Sequence, residues 1–159
     1  MIMNILLVVF IFFAQLSGLD VNGVDQSDNI RYLTHNGSEV KTSFKVDKKF
    51  IGRYKGKKRG FLLLNADGTG VYKYDVYGFS REDCNGGEVR FVWGFIIDEK
   101  ESIVKFDRPY GFSYPVVFVS SGKTGFQDCK KKSMVDYLMV RKDGSIAVSS
   151  SDDWVRVNE

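Results

Sequence analysis

Histidine, cysteine and proline are nearly missing from this chain of 159 residues, which has one His, two Cys and two Pro. Each scarcity removes a class of chemistry. A tetrahedral zinc shell takes four ligands, and Cys84 and Cys129 with the single His35 do not supply them. A catalytic thiol lacks its histidine partner for the same reason. There is no glycine-rich phosphate loop, no pair of histidines and no Gly-x-Ser-x-Gly elbow. The neighbouring carboxylates Glu82 with Asp83 and Asp152 with Asp153 point to opposite faces of a strand, so neither pair converges on a substrate. Ser149 to Asp153 lacks the spaced acidic pattern of a calcium loop. We therefore expect a noncatalytic protein with no metal or cofactor, a small secreted enzyme being the least favoured reading.

Charge of one sign is also scarce. A net charge of +3 does not imply nucleic-acid binding. The basic residues are uneven, however: Lys48, Lys49, Arg53, Lys55, Lys57, Lys58 and Arg59 occur with no carboxylate among them. That run reads either as a solvated strand edge or as a dock for a polyanion.

Charge is absent altogether before Asp20, and Ile5 to Leu16 is an apolar run of the length of a signal-peptide core. Residues 1–18 are expected to be an export signal, with cleavage open among Ala14, Ser17 and Gly18. The alternative is an uncleaved anchor through residues 1–19, against which stand Asn4, Gln15 and Ser17, because a membrane span takes about 20 predominantly apolar residues. The expected location is secreted, periplasmic or elsewhere in the cell envelope, with the membrane met only through this segment.

Residues 19–49 show no stable period and read as a flexible leader. Within it, Asn36-Gly37-Ser38 is either a glycosylation acceptor or a turn.

Strand formers dominate residues 50–159. Short β-branched and aromatic runs alternate with glycine-containing breaks, predicting strands over Phe50–Gly56, Gly60–Asn65, Thr69–Tyr77, Glu88–Ile97, Ser102–Asp107, Ser113–Ser120, Val135–Arg141, Ser145–Ser149 and Asp153–Val157. Asp67-Gly68 and Asp143-Gly144 are the clearest turns. Tyr72, Tyr74 and Val76 share one face, as do Phe91, Trp93 and Phe95. No helical stripe interrupts them. The expected fold is all-β, an antiparallel up-and-down meander of about eight strands closed as a small barrel, with a β-sandwich as the alternative.

In an exported chain an even pair of cysteines reads as a bridge, so Cys84 and Cys129 are expected to form a disulfide. The loop it closes corresponds to about 4 kcal/mol in the chain-entropy description. Arg108-Pro109-Tyr110-Gly111-Phe112-Ser113-Tyr114-Pro115 places both prolines around three aromatic rings, either as a contact patch or as a loop folded over the barrel end.

Phe50-Ile51-Gly52-Arg53-Tyr54-Lys55 opening the strands, then a short link to Phe61-Leu62-Leu63-Leu64 and Asp67-Gly68-Thr69-Gly70, with Val135-Asp136-Tyr137 later and Arg156 after the last strand, together resemble the lipocalin-like barrels. In that superfamily the corresponding texts are Gly-x-Trp, Thr-Asp-Tyr and a closing basic residue. The resemblance covers Phe50 to Val157, with Tyr54 in place of the tryptophan and Val135 in place of the threonine. It implies an up-and-down barrel with an apolar ligand in its mouth. The leading expectation is accordingly a domain that binds a small apolar molecule, lined by Tyr72, Tyr74, Trp93, Tyr110, Phe112 and Tyr114. The same rings would otherwise fill the core, since an eight-stranded interior is only just wide enough for side chains. The protein would then be a solid-core envelope component recognising a protein or polyanion through the basic edge and the aromatic loop.

Overall fold

A computed structural model describes residues 29–56, 60–73, 87–126, 130–148 and 154–157. Residues 1–18, expected to be an export signal, and Tyr74, both cysteines and the neighbouring carboxylate pairs lie outside these residues. Among the described residues there are eleven strands: β1 (Ile30–His35), β2 (Ser38–Ser43), β3 (Gly52–Lys55), β4 (Phe61–Leu64), β5 (Thr69–Lys73), β6 (Glu88–Ile96), β7 (Phe106–Arg108), β8 (Gly111–Ser120), β9 (Ser133–Arg141), β10 (Ile146–Val148) and β11 (Trp154–Arg156).

Eight of them make a closed ring. From β3 to β6, and again from β8 to β11, each strand pairs antiparallel with the next. β6 joins the two runs by pairing with β8, and β11 returns to β3 through Val155 opposite Lys55 and Arg156 opposite Tyr54. The all-β, up-and-down barrel expected from the sequence is the observed fold. Alternation explains why it closes: along β6 Val89, Phe91, Trp93 and Phe95 are buried, while Arg90 between them is exposed.

The interior is packed with rings. Phe91 meets Phe118 of β8 at 5.3 Å and Phe126 at 5.7 Å between centroids, and Trp93 meets Phe95 at 5.9 Å. One end is stopped by Phe50, carried on a single 3-10 turn, Lys48–Phe50, with its ring 5.0 Å from Phe95. At the other end Tyr72 lies 5.3 Å from Trp154 and 6.3 Å from Phe126.

Gly52, Tyr54 and Arg156, the residues that carry the resemblance, meet at the stopped end. Tyr54 is fully buried and its hydroxyl donates to the Phe50 carbonyl at 2.7 Å. Burial raises the phenol well above the ordinary tyrosine range. Arg156 Nε donates to the Ile51 carbonyl at 3.0 Å, and a Cβ at Gly52, where φ is +128°, would sit 3.4 Å from the same Nε.

Two expectations are corrected. Residues 29–49 are not a structureless leader, because β1 and β2 form a hairpin across Asn36 (φ 50°) and Gly37 (φ 80°), the left-handed pair that a two-residue hairpin turn requires. β2 continues the sheet on β6 beyond the last residue paired with β5, through Thr42 opposite Ile96 and Ser43 opposite Phe95. Arg31 fastens the hairpin, donating to the carbonyls of Gly68 at 2.9 Å and Asp67 at 3.3 Å while lying 4.2 Å over Phe44. The strand expected over Ser102–Asp107 starts only at Phe106. The Asp98 carboxylate accepts from the backbone N–H groups of Lys100 and Ser102, and Glu101 takes φ 62°, so the chain turns back there and leaves a single bridge, Ile97 to Ile103.

Candidate interaction surface and groove

The six proposed lining residues separate into two environments. Trp93 is fully buried, and its Nε1 donates to the Thr69 carbonyl at 2.8 Å. Tyr72 packs inward, as does Tyr114, whose ring is 5.3 Å from Phe50 and 6.0 Å from Phe95. Tyr74 lies outside the described residues. Tyr110 and Phe112 are outside the barrel, 66% and 40% exposed. Phe112 and Tyr114 share one face of β8, but β8 runs past the last residue it shares with β6, opposite Val116. One ring is therefore inside the barrel and the other beyond its rim.

The β7–β8 hairpin beyond that rim carries a patch of aromatic rings and cations. Phe106 is 43% exposed and its ring lies 6.3 Å from Tyr137. Lys105 Nζ stands 4.4 Å from the Phe112 ring and the Arg108 guanidinium 5.7 Å from that of Phe106. The turn is held rather than folded over the barrel end: Arg108 Nε donates to Ser113 Oγ at 3.0 Å, and the Lys142 N–H donates to the Tyr110 carbonyl at 2.9 Å. Gly111 is required there, with φ 144° and only 2.0 Å between a Cβ and the Val140 carbonyl oxygen. Exposed rings grouped in this way cost hydration unless something covers them. From Lys105 to Tyr114 the hairpin holds two cations and one carboxylate, Asp107.

The basic run is only partly available as a charged edge. Arg53 lies 4.2 Å over Phe61 and Lys49 is 3.5 Å from Asp47, while Lys57 to Arg59 lie outside the described residues. Lys48 and Lys49 flank Phe50, which touches Tyr114, so they sit at the same end of the barrel as the aromatic hairpin.

A second feature was not legible as a site. A groove of about 640 Å³ opens between the β1–β2 turn, Val119 of β8 and residues Lys131 to Val135. His35 is fixed in its wall, with Nδ1 2.9 Å from Ser133 Oγ and Nε2 3.1 Å from Asn36 Nδ2. Sequence reading missed the groove because His35 and Ser133 are 98 positions apart; the only local signal was Lys130-Lys131-Lys132.

Among the described residues no three His, Cys, Asp or Glu side chains group closely enough to hold a metal ion. Comparison with models of known protein families, with curated proteins and with solved structures returned no match.

Proposed function

We propose that this chain is a noncatalytic, exported, lipocalin-like domain that works as a solid scaffold, recognising an acidic polysaccharide of the cell envelope on its outer surface. The observation that carries the reading is the packing of the described interior residues. Leu64, Val89, Trp93, Phe95, Phe118 and Leu138 are fully buried, and the rings among them are in mutual contact. An apolar ligand would have to displace rings already in mutual contact. The β7–β8 hairpin supports the rest: exposed tyrosine and phenylalanine rings stack on sugar faces, and Lys105 and Arg108 stand where acidic substituents would be met.

Oxidised Cys84 and Cys129 belong to the same reading. Lys73 of β5 pairs with Glu88 of β6, and Phe126, which forms a bridge with Lys131, lies 6.3 Å from Tyr72, so the described residues on either side of the two cysteines are at one end of the barrel. In an oxidising compartment an even pair of cysteines is expected to be bridged.

The test is retention of the mature chain on immobilised heparin against neutral dextran. The Tyr110→Ala, Phe112→Ala double variant should bind about thirtyfold more weakly, at roughly 1 kcal/mol per ring. Equal retention of wild type on both matrices, or an unaffected double variant, would count against the surface. Uptake of an apolar fluorescent probe with Trp93 quenched would return the interior to consideration.

A further inference from the structure

The groove beside His35 is a different surface, at the barrel end away from the aromatic hairpin, and its chemistry is its own. We infer that it is a binding site for a small organic anion, a carboxylate or phosphate monoester carrying a short apolar group. Its volume of about 640 Å³ falls within the usual range of small-molecule sites. Its walls are joined across the fold: the His35–Ser133 hydrogen bond ties the β1–β2 turn to the start of β9, so the space is shaped before anything enters. Such pre-organisation lowers the cost of binding.

The donors point to an anion. Lys131, Lys132, Asn36 and Ser133 line the groove, and among the described residues its lining includes no Asp or Glu. Lys132 is itself positioned, its Nζ donating to the Gly122 carbonyl at 2.9 Å and to that of Lys123. An ammonium group has three donors, so one remains for a ligand oxygen. Val119, Met134 and Val135, the last 38% exposed, give the lining an apolar portion. A bare inorganic ion would leave that portion in water. An anion with an alkyl group covers both.

The experiment is titration of the oxidised, mature chain with octanoate, followed through backbone amide shifts and by calorimetry, with octanol as the uncharged control. Octanoate should saturate with a Kd of about 1 mM or tighter, moving the amides of His35, Ser133 and Val135, while octanol binds about tenfold more weakly. Lys131→Ala with Lys132→Ala should weaken octanoate about tenfold, and Lys48→Ala with Lys49→Ala should not change it. Val135→Asp, a substitution at an exposed wall that the fold accommodates, should abolish binding by placing a carboxylate against the ligand. The inference is overturned if octanol binds as well as octanoate, if the shifts do not saturate, or if Val135→Asp binds like wild type. Heparin retention through the hairpin is unaffected by any of these outcomes.

Discussion

Tyr54→Phe isolates a single hydrogen bond at the stopped end of the barrel, and its effect should reverse with pH. The substitution keeps the ring in a site that exposes none of it and removes only the donor to the Phe50 carbonyl. A buried neutral hydrogen bond of this kind is worth about 1.4 kcal/mol net at neutral pH. Wild type should therefore be more stable than the variant by that amount at pH 7, a shift in Tm of roughly 5 °C for a domain of this size. Burial raises the Tyr54 phenol above its usual value, so the folded state holds its proton longer than the unfolded chain does. The sign follows: the contribution of the neutral hydroxyl is complete below the unfolded value, about 10, and is lost as pH rises above it, by about 1.4 kcal/mol at pH 11. The phenylalanine variant has no such loss. Urea unfolding of both chains at pH 7, 9, 10 and 11 should show the gap constant to pH 9 and closed near pH 11. A gap still open at pH 11, or absent at pH 7, would refute the assignment of that hydrogen bond and of its burial.

Asp136 lies on β9 opposite Val116 and its carboxyl is raised above the ordinary range by burial, opposed by the Tyr137 N–H it accepts at 2.7 Å. The protonated form is favoured in the folded state, so Asp136→Asn should raise Tm at pH 7, with the gain vanishing as pH falls below about 4; an unchanged or lowered Tm at pH 7 would contradict this. Reduction of the mature chain should add two alkylatable thiols and lower stability by about 4 kcal/mol, read by mass and by denaturant midpoint. Two thiols already reactive in native protein would dismiss the bridge.

Much of the barrel was readable because its rules are local. Along β6 the aromatic residues at alternate positions identify the inner face, and Asp67-Gly68 and Asp143-Gly144 mark turns that the structure contains, with Gly68 at φ 77° and Gly144 at φ 81°. The β1–β2 hairpin was missed because it packs against the outside of a finished sheet. Leu33 and Thr42 are its most buried side chains, too few for alternation to be heard above the polar residues, and that composition outweighed the one turn signal, Asn36-Gly37. The site was less legible for a different reason. Whether a ring on β8 is inside or outside depends on where β6 stops pairing with it, and whether His35 has company depends on Ser133. Both are properties of tertiary register, which no local pattern states.

Among the described residues the last wall of the barrel is fastened to its first by a short seam: Val155 pairs with Lys55, Arg156 with Tyr54, and the Val157 N–H donates to the Arg53 carbonyl at 2.8 Å. The partners are about a hundred positions apart in the chain, so this seam is sewn after everything between has been laid down, and topologies of that kind fold slowly. With that seam open the sheet would have two free edges, β3 and β11, the condition in which strands recruit neighbours and aggregate. The tail of the chain is thus the latch of the whole assembly, and a shortened product ending before Trp154 would be a sticky half-shell.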